Sequence, residues 1–451
     1  MLAEPAHQTN GMAQITLGAR IARRRNVTVV ARLLMGVGRS IACTICLILA
    51  ACATVPRAEF TAHEQQIAQV SGFIGIRTWG DGTFKDFKRN GVTPPSIDSP
   101  SSRYLALSGG GSGGAFGAGV LVGWTASGTR PVFDLVSGVS TGALIAPFAF
   151  LGTGYDRTLR DIYTGDVAGN LLQMRFLPAG LLGSGILQPE PLRRLVEQYA
   201  DEKLLAAIAR EHGKGRRLLV VTTNMDAQRP VVWDMGKIAA SGRPDALKLF
   251  RNILIASVSI PAILPPVLID VEAEGRHFQE MHADGGTSTQ VFTVPEGLLA
   301  AATSLRPPKG KVAELYIVIN NALIPEFEVT SNNTFVVGDR GLETMIKSQT
   351  RSMLDATYAF SKRARIGFHI ASIDRSIPYR ALDPFNVDYM RALFKLGYDQ
   401  TLSGQVWKAA PVFIERGVPK SPIQNELSSD PAVLTARNRT AVQSTGRQAQ
   451  P

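Results

Sequence analysis

One serine of this chain lies between two glycines in the pattern Gly-x-Ser-x-Gly, formed by Gly138, Ser140 and Gly142. An apolar, strand-like run from Phe133 ends at Gly138, and a helix-competent segment begins at Ala143. Such a strand-to-helix turn exposes the serine hydroxyl, and the flanking glycines leave room for the backbone. The helix behind the serine directs its N-terminal amides at the place where an oxyanion forms. The pattern with its strand-turn-helix context makes Ser140 the candidate nucleophile; the five-residue pattern by itself also occurs by chance in a chain rich in glycine and serine.

A glycine-rich run, Gly109 to Gly114, follows a short apolar strand predicted at Arg103 to Leu107. Consecutive glycines leave their backbone N–H groups uncovered, which makes an anion-binding nest. A dinucleotide fingerprint is formally present, but no acidic residue ends a second strand at the expected distance. A flexible linker is disfavoured because an apolar helix is predicted directly afterwards, at Val120 to Trp124.

Asp284 ends a predicted strand, His277 to His282, and precedes Gly285 and Gly286. A carboxylate can serve as the general base for a serine if the site is dry enough to raise its basicity. Two alternatives stay open. Asp-Gly-Gly is also a hairpin-turn signal, and His369 follows Asp284 in the chain order Ser, Asp, His of a catalytic triad.

The composition is that of a globular protein, with 451 residues of which 45% are hydrophobic and 19% are charged. The formal net charge is +11. Residues 1–51 carry six arginines and one acidic residue, so the rest of the chain carries about +6. No basic run interleaved with aromatic residues occurs in the body, so we expect no nucleic acid partner.

Residues 1–51 are predicted to be a lipoprotein signal peptide. Arg39 precedes an apolar run, Ile41 to Ala51, that is too short to span a bilayer as a mature helix. The sequence Leu49-Ala50-Ala51-Cys52 resembles the lipobox of bacterial lipoproteins, which implies cleavage before Cys52 and acylation of its sulfur. The alternatives are an ordinary signal peptide, or an over-long start assignment with the true start near Met35.

The three cysteines are Cys43, Cys46 and Cys52, so the body after Cys52 has no cysteine nucleophile, no cysteine-based metal site and no disulfide. Several acyl chains would hold the protein firmly on a membrane. We therefore expect a lipid-anchored protein of the cell envelope. Ala53 follows the cysteine where an aspartate usually signals retention in the inner membrane, so the outer membrane is favoured if the source is Gram-negative.

Three further regions follow the signal peptide: an acylated N-terminus and linker at 52–102, a catalytic domain at 103–420, and a disordered tail at 421–451. In the catalytic domain, predicted strands alternate with predicted helices, which indicates an α/β fold with a mostly parallel sheet covered on both faces. The apolar stretch Leu171 to Leu187 is either an interfacial loop that meets lipid or a buried loop.

Four motifs occur in the order and at the spacing of patatin-like phospholipases, which the chain resembles from Arg103 to Gln290. They are the glycine loop, the serine elbow, the segment Ala256 to Val267 and the sequence Asp284-Gly285-Gly286. The resemblance implies a three-layer α/β/α fold and lipid acyl hydrolase activity through a Ser-Asp dyad. Carried over by motif, the functional residues are Ser140 as nucleophile, Asp284 as base, the amides of Gly109, Gly110 and Gly111 as oxyanion hole, and Gly114, Gly285 and Gly286 as motif support.

The chain departs from the family at Gly113, where an arginine or lysine is common. Without that cation, neutral glycerides or simple esters are an alternative to phospholipids.

We therefore expect a membrane-anchored serine lipid acyl hydrolase that needs no metal and no other cofactor, with a phospholipid or another acyl lipid as substrate. The alternative from a different class is a non-catalytic lipid-binding lipoprotein that keeps the fold.

Overall fold

The computed structural model describes most of the chain between Arg57 and Glu415. The described ranges are residues 57–92, 101–165, 185, 187–300, 312–327, 329–373 and 386–415. The chain divides into two units, residues 1–59 and residues 60–451, and all described helices and strands belong to the second. The predicted signal peptide, Cys52, the predicted tail, and the apolar stretch except Gly185 and Leu187 lie outside the described residues. No described helix combines the length and the hydropathy needed to cross a bilayer.

Ten strands form one sheet. The strands are β1 Gln69–Val70, β2 Arg77–Trp79, β3 Ser101–Leu107, β4 Leu135–Val139, β5 Arg217–Asn224, β6 Arg229–Asp234, β7 Val267–Ala273, β8 Arg276–Asp284, β9 Val312–Ala322 and β10 Gly367–Ile373. Their order across the sheet is β1-β7-β8-β5-β4-β3-β9-β10, while β6 pairs with β5 and β2 pairs with β6.

One half of this sheet, from β5 to the edge strand β10, is parallel, and the remaining strands pair antiparallel. β5, β4, β3, β9 and β10 pair in parallel with their neighbours in that series. β7 and β8 are joined by a two-residue turn at Glu274 and Gly275, whose φ angles of 51° and 76° are those of a tight antiparallel hairpin. The predicted α/β fold is confirmed, and the sheet is more mixed than the mostly parallel one expected.

Helices cover both faces of the sheet. They are α1 Ala62–Ile67, α2 Phe84–Arg89, α3 Gly114–Ala126, α4 Thr141–Leu151, α5 Asp156–Thr164, α6 Glu190–Tyr199, α7 Glu202–Gly213, α8 Met235–Ala239, α9 Ala246–Ser257, α10 Glu296–Ala300, α11 Thr334–Ala364, α12 Val387–Leu402 and α13 Val412–Glu415. Because successive strand residues face opposite ways, Leu105 and Leu107 of β3 pack in the core that contains α3, α4 and α12. Ala106 between them packs in a separate core with Leu354 of α11. The architecture is therefore three layers, α/β/α.

Residues 60–92, which we predicted to be linker, are part of the folded unit. β1 pairs with β7 and β2 pairs with β6, so this segment adds two strands to the sheet. Phe73 and Ile76 are buried in the main core. Arg77 forms an ion pair with Glu280 of β8, and both side chains are buried. Its two strands escaped prediction because they are only two and three residues long, too short to show a period.

Candidate active site

The serine elbow lies at the junction of β4 and α4. Ser140 has φ 53° and ψ −126°, a conformation that L-residues rarely adopt and that costs about 1–3 kcal/mol. A Cβ at Gly138 would collide with the backbone of Gly142, and a Cβ at Gly142 would collide with the backbone of Leu107. The two glycines therefore allow the tight turn that the sequence predicts. Ser140 is only 5% exposed, so its hydroxyl lies in a nearly dry environment.

Asp284 lies next to Ser140 because two strands share one edge of β5. β4 pairs with β5 as far as Val221, whose partner is Val139. From the next residue onward, the same edge of β5 pairs with β8, and Thr222 is the partner of Asp284. β6 occupies the opposite edge of β5 over the same residues. The end of β4 and the end of β8 are thus brought together.

The Ser140 hydroxyl donates a hydrogen bond to Asp284 Oδ2 at 2.6 Å. The other carboxylate oxygen, Oδ1, accepts from the Gly286 N–H at 2.6 Å. Burial raises the pKa of the Asp284 carboxyl from its ordinary 3.8 to about 7, although the hydrogen bonds from Ser140 and Gly286 favour the ionised form. A carboxyl with this pKa can exchange a proton with a hydroxyl near neutral pH.

Two further serines fix the backbone of this pair. The Ser140 N–H donates to Ser257 Oγ at 3.0 Å, and the Ser257 hydroxyl donates to the Val221 carbonyl oxygen at 2.7 Å. The Asp284 N–H donates to the Ser259 carbonyl oxygen at 2.9 Å. Ser257 and Ser259 lie within the motif segment Ala256 to Val267, and their hydrogen bonds to the elbow and to Asp284 were not predicted from the sequence.

The glycine loop lies against the elbow. A Cβ on Gly109 would lie 3.2 Å from Ser140 Cβ, so only glycine lets the loop approach the serine this closely without displacing it. The Gly109 N–H donates to the Gln290 carbonyl oxygen at 2.9 Å and is not available to a substrate. In the described part of the chain, the N–H groups of Gly110 and Gly111 donate no hydrogen bond. Of the three amides predicted for the oxyanion hole, Gly110 and Gly111 therefore remain available.

The other motif glycines make close backbone contacts. A Cβ on Gly114 would collide with the Thr141 hydroxyl at the start of α4, and a Cβ on Gly285 would lie 2.5 Å from the Val221 carbonyl oxygen. A Cβ on Gly286 would lie 3.0 Å from Asp284 Oδ1. Gly113 is equally confined, because its Cβ would overlap the Asn320 carbonyl oxygen. The structure thus gives a steric reason for the missing arginine or lysine.

Neither the triad candidate His369 nor His282, two residues before Asp284, is hydrogen-bonded to the serine or to the aspartate carboxylate. His369 lies on β10, where its Nε2 is 2.5 Å from Glu314 Oε2 and its ring stacks on Tyr316. His282 lies on β8 with both ring nitrogens engaged, by Thr222 Oγ1 at 2.9 Å and by Glu280 Oε2 at 3.1 Å. Both are therefore side chains held within the sheet, and the structure does not assemble the alternative Ser-Asp-His triad.

Among the described residues, no group of three His, Cys, Asp or Glu side chains is placed to hold a metal ion.

Residues 105–294 match the family model of patatin-like phospholipases. The chain contains a patatin-like phospholipase domain. The matched segment includes the glycine loop, Ser140 and Asp284. Patatin family members are lipid hydrolases and esterases, so the domain is assigned to the hydrolases.

Comparisons with curated proteins and with solved structures give no further assignment of the chain. No curated protein matches the chain. Among solved structures, the chain is similar to VipD from Legionella pneumophila, with 16% identity, a TM-score of 0.29, and coverage of 69% of this chain and 68% of that one.

Proposed function

We propose that the patatin-like domain hydrolyses carboxylic esters of lipids, with Ser140 as nucleophile and Asp284 as general base. The observation that carries the proposal is the 2.6 Å hydrogen bond from the Ser140 hydroxyl to Asp284 Oδ2 in a buried site. A general base has to lie within hydrogen-bond reach of the proton that it accepts. The pKa of Asp284, about 7, is also close to neutral pH, and a base with such a pKa transfers protons efficiently there.

The first half of the reaction forms an acyl-enzyme. Ser140 Oγ attacks the ester carbonyl carbon while its proton passes to Asp284 Oδ2. The carbonyl oxygen becomes an oxyanion, which the free N–H groups of Gly110 and Gly111 stabilise by about 3 kcal/mol per donor. The tetrahedral intermediate collapses, the C–O bond to the alcohol breaks, and Asp284 returns the proton to the leaving alkoxide.

The second half releases the fatty acid. A water molecule takes the place of the alcohol, and Asp284 accepts its proton as the water oxygen attacks the acyl carbon. The second tetrahedral intermediate expels Ser140 Oγ, which regains the proton from Asp284. The Gly286 N–H keeps the carboxylate oriented throughout by its bond to Oδ1. Every proton transfer therefore involves one carboxylate and no histidine.

We propose a lipid ester with a neutral headgroup as the preferred substrate. Gly113 is confined by the Asn320 carbonyl oxygen, so the loop offers no cation where relatives commonly place one. Among the described residues, the side chains hydrogen-bonded to the loop, the dyad, Ser108 and Gly286 carry no charge apart from Asp284 itself; they include those of Ser108, Thr223, Ser257, Gln290, Asn320 and Asn321. An anionic phosphate would meet no compensating charge among these groups. A phospholipid remains the competing substrate.

We further propose that Cys52 carries the lipid anchor and places the domain at the membrane of the cell envelope, the outer membrane in a Gram-negative cell. The support is the sequence Leu49-Ala50-Ala51-Cys52 at the end of an apolar run. Mass spectrometry of the mature N-terminal peptide tests it. We expect a diacylglyceryl mass on Cys52 and its loss in Cys52→Ala. An unmodified cysteine in the mature protein would refute the anchor.

The test of the catalytic proposal uses the full chain in detergent, assayed on a short-chain nitrophenyl ester, on diacylglycerol and on phosphatidylcholine vesicles. We expect Ser140→Ala and Asp284→Asn to abolish turnover. His369→Ala is the matched control, and it should retain wild-type activity because its ring is hydrogen-bonded to Glu314 and stacked on Tyr316, on β10. A Ser140→Ala variant as active as wild type would refute the catalytic proposal. An inactive wild type that binds lipid would favour a binding protein instead.

A further inference from the structure

Asn320 lies near the carboxyl end of β9, directly beside the glycine loop, and is 1% exposed. Its side-chain amide donates to the Ser108 carbonyl oxygen at 2.7 Å. Its side-chain oxygen accepts from the Gly117 N–H at 3.1 Å, in the first turn of α3. Its own backbone N–H donates to Ser108 Oγ at 2.8 Å. One residue thus holds both ends of the loop, the strand that enters it and the helix that leaves it.

The Ser108 hydroxyl links Asn320 to the peptide unit between Gly109 and Gly110, whose N–H is one of the two proposed oxyanion donors. It donates to the Gly109 carbonyl oxygen at 2.7 Å. That carbonyl and the Gly110 N–H belong to the same planar peptide unit, so fixing the oxygen on one side fixes the N–H on the other. A hydrogen bond to the carbonyl also polarises the unit and strengthens the N–H as a donor.

The Asn320 backbone confines the loop from the same direction. Its carbonyl oxygen occupies the space where a Cβ would stand on Gly110 and on Gly113. Gly110 has φ 149° and Gly111 has φ 53°. Glycines have the widest backbone freedom of all residues, so these conformations need external restraint to persist. By contrast, a Cβ on Gly111 would meet nothing within 4 Å, which leaves space on its side of the loop.

We propose that Asn320 and Ser108 are positioning residues, which orient the Gly110 and Gly111 amides before the substrate arrives. The proposal rests on the ester hydrolysis proposed for Ser140. Donors that are already oriented stabilise a developing oxyanion without reorganising during the reaction, and this is where such amides gain their effect. Asn320 and Ser108 themselves contact neither the reacting atoms nor Asp284 in the described structure.

The experiment uses the full chain in detergent and compares Asn320→Ala, Asn320→Asp, Ser108→Ala and Ser108→Thr with wild type. The measurements are kcat and KM on a short-chain nitrophenyl ester, the rate of inactivation by a nitrophenyl alkylphosphonate, and Tm. In the inactivation, Ser140 Oγ displaces nitrophenolate from phosphorus, and the phosphonyl oxygen takes the place of the oxyanion. Asn386→Ala is the matched control, since Asn386 caps the first turn of α12 by accepting a hydrogen bond from the Tyr389 N–H.

We expect Asn320→Ala and Ser108→Ala to lower kcat by about 10- to 100-fold, somewhat less than the loss of an oxyanion donor itself. KM should change by less than about 2-fold, because the ground-state carbonyl gains little from these amides. Phosphonylation should slow in parallel with kcat. Ser108→Thr keeps the hydroxyl and should restore most of the activity. Asn320→Asp should lose activity like alanine, because a carboxylate oxygen replaces the donor to the Ser108 carbonyl.

The proposal is overturned if Asn320→Ala and Ser108→Ala have a lower Tm than wild type but keep the kcat and the phosphonylation rate of Asn386→Ala. It is equally overturned if Ser108→Thr is as slow as Ser108→Ala. If Asn320→Ala does not fold, the two Ser108 variants decide the question. A wild type that reacts with neither ester nor phosphonate refutes the proposed function itself, and that outcome differs from every one above.

Discussion

Asp284 is 4% exposed and accepts two hydrogen bonds, from the Ser140 hydroxyl and the Gly286 N–H, and no cation in the described part of the chain forms an ion pair with it. Burial disfavours its ionised form, while the bonds from Ser140 and Gly286 favour it, and burial is the larger effect. The resulting pKa of about 7 lies well above the ordinary value of 3.8. The carboxyl therefore changes its protonation state far closer to neutral pH than an exposed aspartate does.

The proposed base should make activity depend on pH in one direction. Asp284 accepts a proton only when ionised, so kcat/KM on a soluble ester should rise with pH, pass its midpoint near 7 and level off above 8. Initial rates between pH 5 and pH 9 measure this. A profile with its midpoint near pH 4, the value of an ordinary aspartate, would contradict the role of burial.

The strained backbone at Ser140 makes a prediction about stability. Ser140→Ala removes the hydroxyl but keeps a Cβ at φ 53°, whereas Ser140→Gly removes both. We expect Ser140→Gly to be more stable than Ser140→Ala by about 1–2 kcal/mol, after allowance for the greater freedom of glycine in the unfolded chain. Urea unfolding of the two inactive variants checks it. Equal midpoints would show that the elbow holds no strain at this residue.

At the scale of elements, glycines are needed where one element meets another. The loop between β3 and α3 contacts the end of β9 through Gly113, and the Asn320 carbonyl oxygen leaves no room for a side chain there. A relative's arginine at this position would need the end of β9 to move. The headgroup preference proposed above therefore follows from a contact between two elements and not from a single missing charge.

Gly113→Ala should consequently destabilise the protein by about 1–3 kcal/mol and lower kcat, since relief of the overlap displaces either the loop or β9. The matched control is Gly213→Ala at the end of α7, where a Cβ meets nothing within 4 Å. That change should be neutral to slightly stabilising. Thermal unfolding and ester turnover of both variants provide the measurement. A Gly113→Ala as stable as Gly213→Ala would show that the loop accommodates a side chain.

The sequence predicted those elements of the site that are marked by residues close together in the chain. The turn at Ser140 and the strand before Asp284 are marked by glycines and by apolar runs within ten residues. Ser257, Gln290 and Asn320 were not predicted as partners, because their contacts join residues far apart in the chain. Two polar residues, Asn320 and Asn321, at the end of an apolar strand were the available signal, since ligands bind at the carboxyl ends of parallel strands.

At the scale of the whole molecule, residues 60–92 support β8, the strand that carries Asp284. Burial raises the pKa of the Glu280 carboxyl, but the charge of Arg77 and bonds from His282 and Arg77 lower it to about 2. Glu280 is therefore ionised inside the protein, four residues before Asp284 on β8. Arg77 also donates to the Ala68 carbonyl oxygen and lies over the Trp233 ring. The family match begins at residue 105 and does not include this support.

Arg77→Met should leave Glu280 buried without its cation and destabilise the protein by about 3–5 kcal/mol. Arg77→Met combined with Glu280→Leu should recover much of that loss, because no charge then stays buried. Arg89→Met is the control, since Arg89 pairs with Asp86 on the surface and should change stability by less than about 0.5 kcal/mol. Denaturant unfolding measures all three. If Arg77→Met were as stable as Arg89→Met, residues 60–92 would have no supporting role for β8.

The consecutive pairing of Val221 with β4 and of Thr222 with β8 has a consequence for how this chain can change in length. Because the two strands meet end to end along β5, one residue inserted near the end of either strand would move its reactive side chain by about 3.3 Å or turn it to the other face. Insertions within the helical crossovers leave that junction untouched. Homologues should therefore vary freely in length between these strands while keeping a gapless alignment across residues 135–142 and 276–286.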